Sequence, residues 1–274
     1  MGPGVEVTHP DRVLFPGEGI TSGDVVDYYR RVAPVMVPHL RNRPLMLERY
    51  GAGIDRGVVD PPVVDDEDGL VALANQGCLT FHCWTAQADQ PRRPDRVVVD
   101  LDPPDGRFFT VRAAALRLRR LLAEIGLVAF VQTTGSRGLH VVAPIVPGPH
   151  NDEVLAFAGA LAAVLAADDP TRLTTEFRKA KGGGRVYLDV ARNGYAQTVV
   201  APYSVRARPG APVATPIDWD EVRTSRLRPD RWTLGNVFRR LGAKADPWQG
   251  IARQARPLPE GWARREPLAA SQAC

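Results

Sequence analysis

Three aspartates have the residue type and spacing to do chemistry together. Asp100 and Asp102 stand two apart in Arg96-Val-Val-Val-Asp-Leu-Asp102. On a strand, a period of two points both carboxylates from one sheet face. Two adjacent carboxylates repel and lose hydration unless something positive lies between them. A hard divalent cation, Mg²⁺ or Mn²⁺, is one answer; a pair of solvated strand-end acids is the other. Arg185-Val-Tyr-Leu-Asp189-Val adds a lone acid late in an apolar strand, on the opposite parity from Val186, Leu188 and Val190. Beside the first pair, Asp189 would complete a three-carboxylate site for two metals ~3.5–4 Å apart. Such a site suits nucleotidyl transfer, with one metal on an attacking hydroxyl and the other on the nucleotide's phosphates.

Thr134-Gly135-Ser136-Arg137-Gly138-Leu139-His140 is a second constellation. Its two glycines would open backbone N–H groups, and Ser136, Arg137 and His140 add donors, a nest that suits a triphosphate. A hairpin turn beside a core histidine fits the same residues. The spacing is not that of a phosphate-binding GxxxxGK[ST] loop, which disfavours that NTPase class.

Other segments must position these groups. Thr21-Ser22-Gly23-Asp24 offers a cap for a helix carrying Val25, Val26, Tyr28, Tyr29 and Val32. Residues 41–50 read as a strand, 51–68 as a Gly/Pro/Asp-rich loop, 70–76 as a helix and 78–84 as a short alternating strand. A polar connector, Gln87–Asp95, is the best internal boundary. Beyond it come the strand 96–102, a helix over 111–125, strands at 128–133 and 139–145, and a helix over 152–167. Residues 185–190 and 197–201 then read as a strand pair joined by Arg192-Asn193-Gly194. This order predicts an α+β layer around one sheet, divided as an N-terminal subdomain over 1–90, a catalytic core over 91–250 and a loosely held tail over 251–274. Tyr28, Tyr29, Trp219, Trp232 and Trp248 read as packing residues.

The chain has 274 residues, 44% hydrophobic and 24% charged, which suits a soluble globular protein. No ~20-residue apolar run marks a membrane span, and no secretory signal is legible at the N-terminus. Cys78, Cys83 and Cys274 do not make a disulfide framework; a reducing cytoplasm is expected. The net charge is +4, and only Lys179, Lys181 and Lys244 among the 35 basic residues are lysines. Arginine's fork suits phosphate, although a GC-rich genome produces the same bias.

Several motifs together carry a resemblance. HPDRVLFP (His9–Pro16), DVVDYYRRVAPVMVPHLRNRPL (Asp24–Leu45), DLDPP (Asp100–Pro104), TTGSRGLHV (Thr133–Val141), VYLDVARN (Val186–Asn193) and APYSVRARPGAPVATPIDWDEV (Ala201–Val222) stand in order. Over roughly residues 5–250 the chain resembles the polymerase domain of bacterial end-joining ligase D, in the archaeo-eukaryotic primase superfamily. The resemblance implies a primase–polymerase fold with a mixed or antiparallel RRM-like catalytic sheet flanked by helices. It implies a template-dependent enzyme, a nucleotidyltransferase that extends primers with NTP or dNTP at DNA ends or gaps, using Mn²⁺ or Mg²⁺ in a two-metal site. By the same match Asp100, Asp102 and Asp189 hold the metals, and His82, Ser136, Arg137, His140, Lys181 and Arg206 bind the nucleotide. Arg12 would lie near the 5′-phosphate of the downstream strand. Structural histidine remains the other reading of His82, and Cys78-x-x-x-His82-Cys83 lacks an evident fourth zinc ligand. The resemblance further implies a monomer in the bacterial cytoplasm at the nucleoid, acting in non-homologous end joining with Ku and an ATP-dependent ligase as partners.

The departures from that family fall on DNA handling. The family's segment of paired aromatics and a lysine after Tyr50-Gly51-Ala52-Gly53-Ile54-Asp55 is absent, and Ser22 stands where a lysine is expected. Lys181 lies where relatives place an arginine. These losses keep two rivals open: a catalytically weakened DNA-end-binding module, and a metal-dependent phosphoesterase using the same carboxylates.

Overall fold

The structure is a computed structural model that describes residues 6–49, 61–103, 107–177 and 183–261. Near the start, β1 (Val13–Phe15) and β2 (Ile20–Thr21) lead into α1 (Ser22–Leu40). Thr21 and Asp24 close a reciprocal capping box on α1, a device that stabilises a helix by roughly 1 kcal/mol. The inward face of α1 buries Val25, Tyr28, Tyr29, Val32 and Met36. Next come β3 (Leu45–Arg49), α2 (Glu67–Asn75) and β4 (Cys78–Trp84). These are followed by β5 (Arg96–Asp102), α3 (Phe108–Glu124), β6 (Phe130–Thr133), β7 (Leu139–Pro144) and α4 (Asn151–Asp168). The remainder holds β8 (Leu173–Thr174), β9 (Val186–Asp189), β10 (Thr198–Val200), β11 (Thr215–Ile217), α5 (Trp219–Arg223) and α6 (Val237–Ala243).

Among the described residues the larger sheet runs β11-β6-β7-β5-β9-β8, and the smaller runs β10-β4-β3. Every ladder is antiparallel except β8 with β9, so the larger sheet is mixed. The architecture is α+β, as the element order predicts, but it is built on a six-stranded and a three-stranded sheet with a β1-β2 hairpin rather than around one sheet. Strand parity divides the larger sheet. Val97, Val99, Leu101, Val141, Val186 and Leu188 pack with α3 and α4 into one core. Val98 and Val142, of opposite parity, join α1, α2 and the smaller sheet in the other core. The outward parity of β5 therefore runs from Val98 in the core through buried Asp100 to half-buried Asp102 at the strand's end.

One expected pairing is corrected. β9 and β10 do not pair: β9 lies beside β5 and β8, and β10 completes the smaller sheet beside β4. Residues Ala191–Asn193 between them form a 3-10 turn. Fully buried Asn193 accepts from Val98 N (2.8 Å) and donates to Val98 O (2.7 Å). Its amide replaces the ladder that β9, too short to reach Val98, leaves unmade. Past residue 250 the chain still packs, with a 3-10 turn at Ile251–Gln254 and a bridge from Arg256 to Ile145. No helix among the described residues is long and apolar enough to cross a membrane.

Candidate active site

Register assembles a polar row across four strands. Asp100 stands opposite Asp189 on one side and His140 on the other, and His140 stands opposite Gln132. Cross-strand partners share a face, so Gln132, His140, Asp100 and Asp189 look the same way, with Asp102 one step along β5.

Hydrogen bonding fixes the row from its far end. Buried Gln132 donates from its amide nitrogen to Val200 O (3.0 Å), which sets which end of the amide is nitrogen. The same nitrogen lies 3.2 Å from His140 Nδ1, making that ring atom an acceptor. In neutral His140 the proton then sits on Nε2, which is 3.5 Å from Asp100 Oδ2. Val200 belongs to β10, so one chain of polar contacts ties the smaller sheet to the acids of the larger.

Each carboxylate has its own basic neighbour. Asp102 meets Arg137 at 3.4 Å, and Asp189 meets Arg192 at 3.4 Å while accepting from Ala191 N at 2.9 Å. Burial works to raise Asp100's carboxyl, but His140, Arg192 and Arg206 outweigh it and hold it below the usual range. Asp102 goes the other way: burial and then the negative charge of Asp100 raise it, only partly offset by Arg137. His82 is pushed down to about 4 by burial and by Arg206, despite Glu48 at 3.0 Å. It is therefore a neutral ring at pH 7, a hydrogen-bonding group rather than a cation.

The glycine turn is shaped by contact. A Cβ on Gly138 would meet Leu101 O at 2.1 Å and Asp102 Oδ1 at 2.8 Å, so only glycine lets the turn lie against β5. Gly135 has φ +62°, and a Cβ there would meet the Arg206 side chain at 2.8 Å. Arg206 also reaches Thr134 O at 3.4 Å. The segment before it is pinned from α1: Tyr28 Oη donates to Tyr203 O (2.7 Å), and Tyr29 Oη accepts from Val205 N (3.0 Å). Tyr29 Oη also donates to Leu79 O at 2.6 Å.

The result is a cleft of about 240 Å³ whose walls include Asp100, Asp102, Ser136, Arg137, His140, His82 and Arg206. Seven of the expected site residues thus come together. Asp189 is beside Asp100 in the sheet but does not form part of that wall. Arg12 is elsewhere, exposed at the start of α1, where its carbonyl accepts from Ser22 N at 2.8 Å. Lys181 and the segment around residues 50–60 lie outside the described residues. Gln132, Arg192, Arg208 and Glu48 are additions; Arg192 and Arg208 stand inside quoted motifs without an assigned role, and Gln132 left a trace as a polar residue inside an apolar strand.

The acids fit a cation in one respect: Asp100 Oδ1 is buried without a hydrogen-bond partner, a state that native proteins rarely leave uncompensated. Among the described residues no three His, Cys, Asp or Glu side chains already converge as a metal cluster. Asp189, whose carboxylate turns toward its own 3-10 turn, is the member that would have to rotate.

A mixed sheet with helices on one face and an acidic row on the other defines a primase–polymerase class of protein. The chain belongs to the family described as LigD, primase-polymerase domain, which it matches over residues 21–59 and 55–248. The two stretches overlap at residues 55–59. The multifunctional non-homologous end joining protein LigD of Mycolicibacterium smegmatis is 31% identical over 252 aligned positions, covering 82% of this chain and 33% of that protein. The multifunctional non-homologous end joining DNA repair protein LigD of Mycobacterium tuberculosis (strain H37Rv) is 32% identical, covering 88% of this chain and 36% of its own length. A solved polymerase domain from Mycobacterium tuberculosis ligase D in complex with DNA superimposes with a TM-score of 0.81 at 30% identity. That match covers 92% of this chain and 99% of the other. The chain spans about a third of the length of these two curated relatives.

Proposed function

We propose that the chain is a nucleotidyltransferase that extends a primer 3′-hydroxyl with NTP or dNTP at DNA ends or gaps, in bacterial non-homologous end joining. The observation that carries this reading is the row Gln132–His140–Asp100–Asp189 beside a cleft walled by Arg137 and Arg206. Likeness to a polymerase domain solved with DNA supports a DNA substrate. Ku and an ATP-dependent ligase are the partners this role expects.

Asp100, Asp102 and Asp189 would hold Mn²⁺ or Mg²⁺, which supplies charge neutralisation at the attacking hydroxyl and the departing pyrophosphate. Arg137 and Arg206 would take the triphosphate, as charge-assisted donors do. Ser136 and the backbone of the Gly135–Gly138 turn would add neutral donors. His140, with Nδ1 occupied by Gln132, would keep its Nε2 proton directed at Asp100. Neutral His82 would hydrogen-bond the nucleotide without adding charge. Arg12, exposed beside the first turn of α1, would approach the downstream 5′-phosphate, with Ser22 contributing no charge.

The test is incorporation of labelled nucleotide on a gapped duplex with Mn²⁺, with and without a 5′-phosphate at the gap. The chain should extend the primer with weak dependence on that phosphate, and the double variant Asp100→Ala/Asp102→Ala should not extend it. A chain that shifts the duplex in a gel but incorporates nothing is instead an end-binding module. Phosphate release without chain growth would mean a phosphoesterase.

A further inference from the structure

A second basic pocket lies outside the cleft, against the edge strand β11. It holds about 420 Å³, and its walls carry Arg231, Arg239, Arg240 and Lys244 with a single acid, Glu221. That acid is already engaged, 2.7 Å from Arg240 and 3.9 Å from Lys244. Arg231 and Arg239 are exposed, whereas the Arg240 side chain is only 3% exposed.

Two donors in this wall have no acceptor. Arg240 uses Nη2 on Pro216 O and on Glu221, but its Nε is buried and unpartnered. Trp232 Nε1 is likewise buried without a partner. Unsatisfied buried N–H groups are rare; both of these lie beneath the pocket surface, behind the exposed guanidinium groups of Arg231 and Arg239. The guanidinium groups of Arg231 and Arg240 lie 5.1 and 5.5 Å from the centre of the Trp232 ring. A flat aromatic among guanidinium groups is the composition that receives stacked bases and their phosphates.

The pocket is also joined to the cleft by backbone. Val213 N donates to Trp232 O and Leu234 N to Ala211 O, while Arg206 N donates to Pro212 O. Arg206 and Trp232 thus sit on two segments that flank the same stretch, residues 211–213.

We propose that this pocket binds a backbone phosphate of a single-stranded nucleic acid, with the exposed Arg231 and Arg239 as its donors and the Trp232 indole beside them as the reporter of binding. It is a second strand-holding site that needs neither nucleotide nor metal, so it stands or falls separately from nucleotidyl transfer.

The experiment follows the ¹⁵N-labelled indole signals while a short oligothymidylate or inorganic phosphate is added, without metal or nucleotide. The Trp232→Phe variant assigns the signal. Oligothymidylate should shift the Trp232 indole. The variant Arg231→Gln/Arg239→Gln should bind labelled oligothymidylate roughly ten-fold or more weakly, as loss of charged hydrogen bonds implies. Its salt dependence should be shallower, by roughly 0.7 in log–log slope for each arginine–phosphate pair removed. An indole that oligothymidylate leaves in place, with unchanged binding by the double variant, would overturn the site. A shift with inorganic phosphate alone would make it a small-anion pocket and overturn the nucleic-acid assignment. The Asp100→Ala/Asp102→Ala variant should still show the indole shift, so failure of polymerisation and failure of this site are read separately.

Discussion

Asp100 and Asp189 face each other as direct partners across β5 and β9, yet their carboxylates look to different side chains. Asp100 lies 3.5 Å from His140, and Asp189 lies 3.4 Å from Arg192. Adjacent like charges on one sheet face repel; the Arg192 guanidinium offsets the charge of Asp189, and the His140 ring lies beside Asp100. With Arg137 at Asp102, three counter-groups surround three acids. A bound cation would compete with all three, so they set how tightly the site binds metal.

Asp102→Asn should separate stability from activity. Burial and the charge of Asp100 both raise the Asp102 carboxyl, so removing its charge relieves repulsion in the unliganded protein. Primer extension should fall by roughly a hundred-fold or more, while the thermal midpoint stays unchanged or rises slightly. A large loss of thermal stability would show that Asp102 holds the fold rather than the substrate.

Strand parity made much of this site readable before the fold was known. β4 and β5 occupy the predicted residues, because each is an apolar run bounded by a turn or a proline. Parity also put Asp100 and Asp102 on one face and Asp189 off the apolar face of its own strand; register then sets Asp189 opposite Asp100. What local pattern does not encode is which strands become neighbours. The apparent pairing of β9 with β10 fails because Asn193 diverts the chain, and β10 then crosses to β4. The role of Gln132 is hidden for the same reason, since its partners Val200 and His140 come from different sheets. Asp189's attachment to Arg192 and Ala191 is a rotamer choice within a 3-10 turn, beyond the reach of periodicity.

Gln132→Leu keeps the volume of the side chain and deletes its donors. Val200 O loses its amide donor, and His140 Nδ1 loses the hydrogen bond that sets its tautomer. Stability should drop by about 1–3 kcal/mol. Extension should fall further than the loss of folded protein accounts for, because His140 is released from Asp100. Full activity per folded molecule would show that the tautomer does not matter.

Tyr29→Phe preserves the buried ring, including its edge contact with Phe81 at 4.9 Å. Only the hydroxyl between Val205 N and Leu79 O is removed. A stranded N–H next to Arg206 should cost about 1–3 kcal/mol. The nucleotide KM should rise with little change in kcat, since Arg206 would be displaced and the acids would not. Steady-state kinetics at several nucleotide concentrations distinguish this from a general loss of fold, which would lower the amount of active protein at constant KM.

Asn193→Ala strips both bonds from the backbone of Val98, two residues before Asp100. The site is fully buried, so water cannot readily replace them. Urea unfolding should show a loss of about 2–5 kcal/mol, from two stranded backbone groups and a small cavity. A loss under about 1 kcal/mol would mean that the β7 ladder alone holds β5 at Val98.

Asp95 sets the acid limit of the fold. Its carboxylate is bonded by Arg43 and by Arg96, the latter at 2.9 Å, where β3 meets the start of β5. Burial opposes the charge, but Arg96 and Arg43 more than offset it and hold the carboxyl well below its ordinary value. A depressed folded pKa makes the unfolded chain the better proton acceptor as the medium acidifies. The stabilisation is therefore complete above the unfolded carboxyl value of about 3.9 and is lost as the pH falls through the folded value. Asp95→Asn, which leaves the Arg43 guanidinium buried at 5% exposure, should cost about 3 kcal/mol at neutral pH. Below about pH 4 the gap between wild type and variant should narrow. Parallel stability profiles from neutrality to about pH 3 would show that Asp95 titrates as an ordinary carboxyl and that its two arginines contribute packing instead.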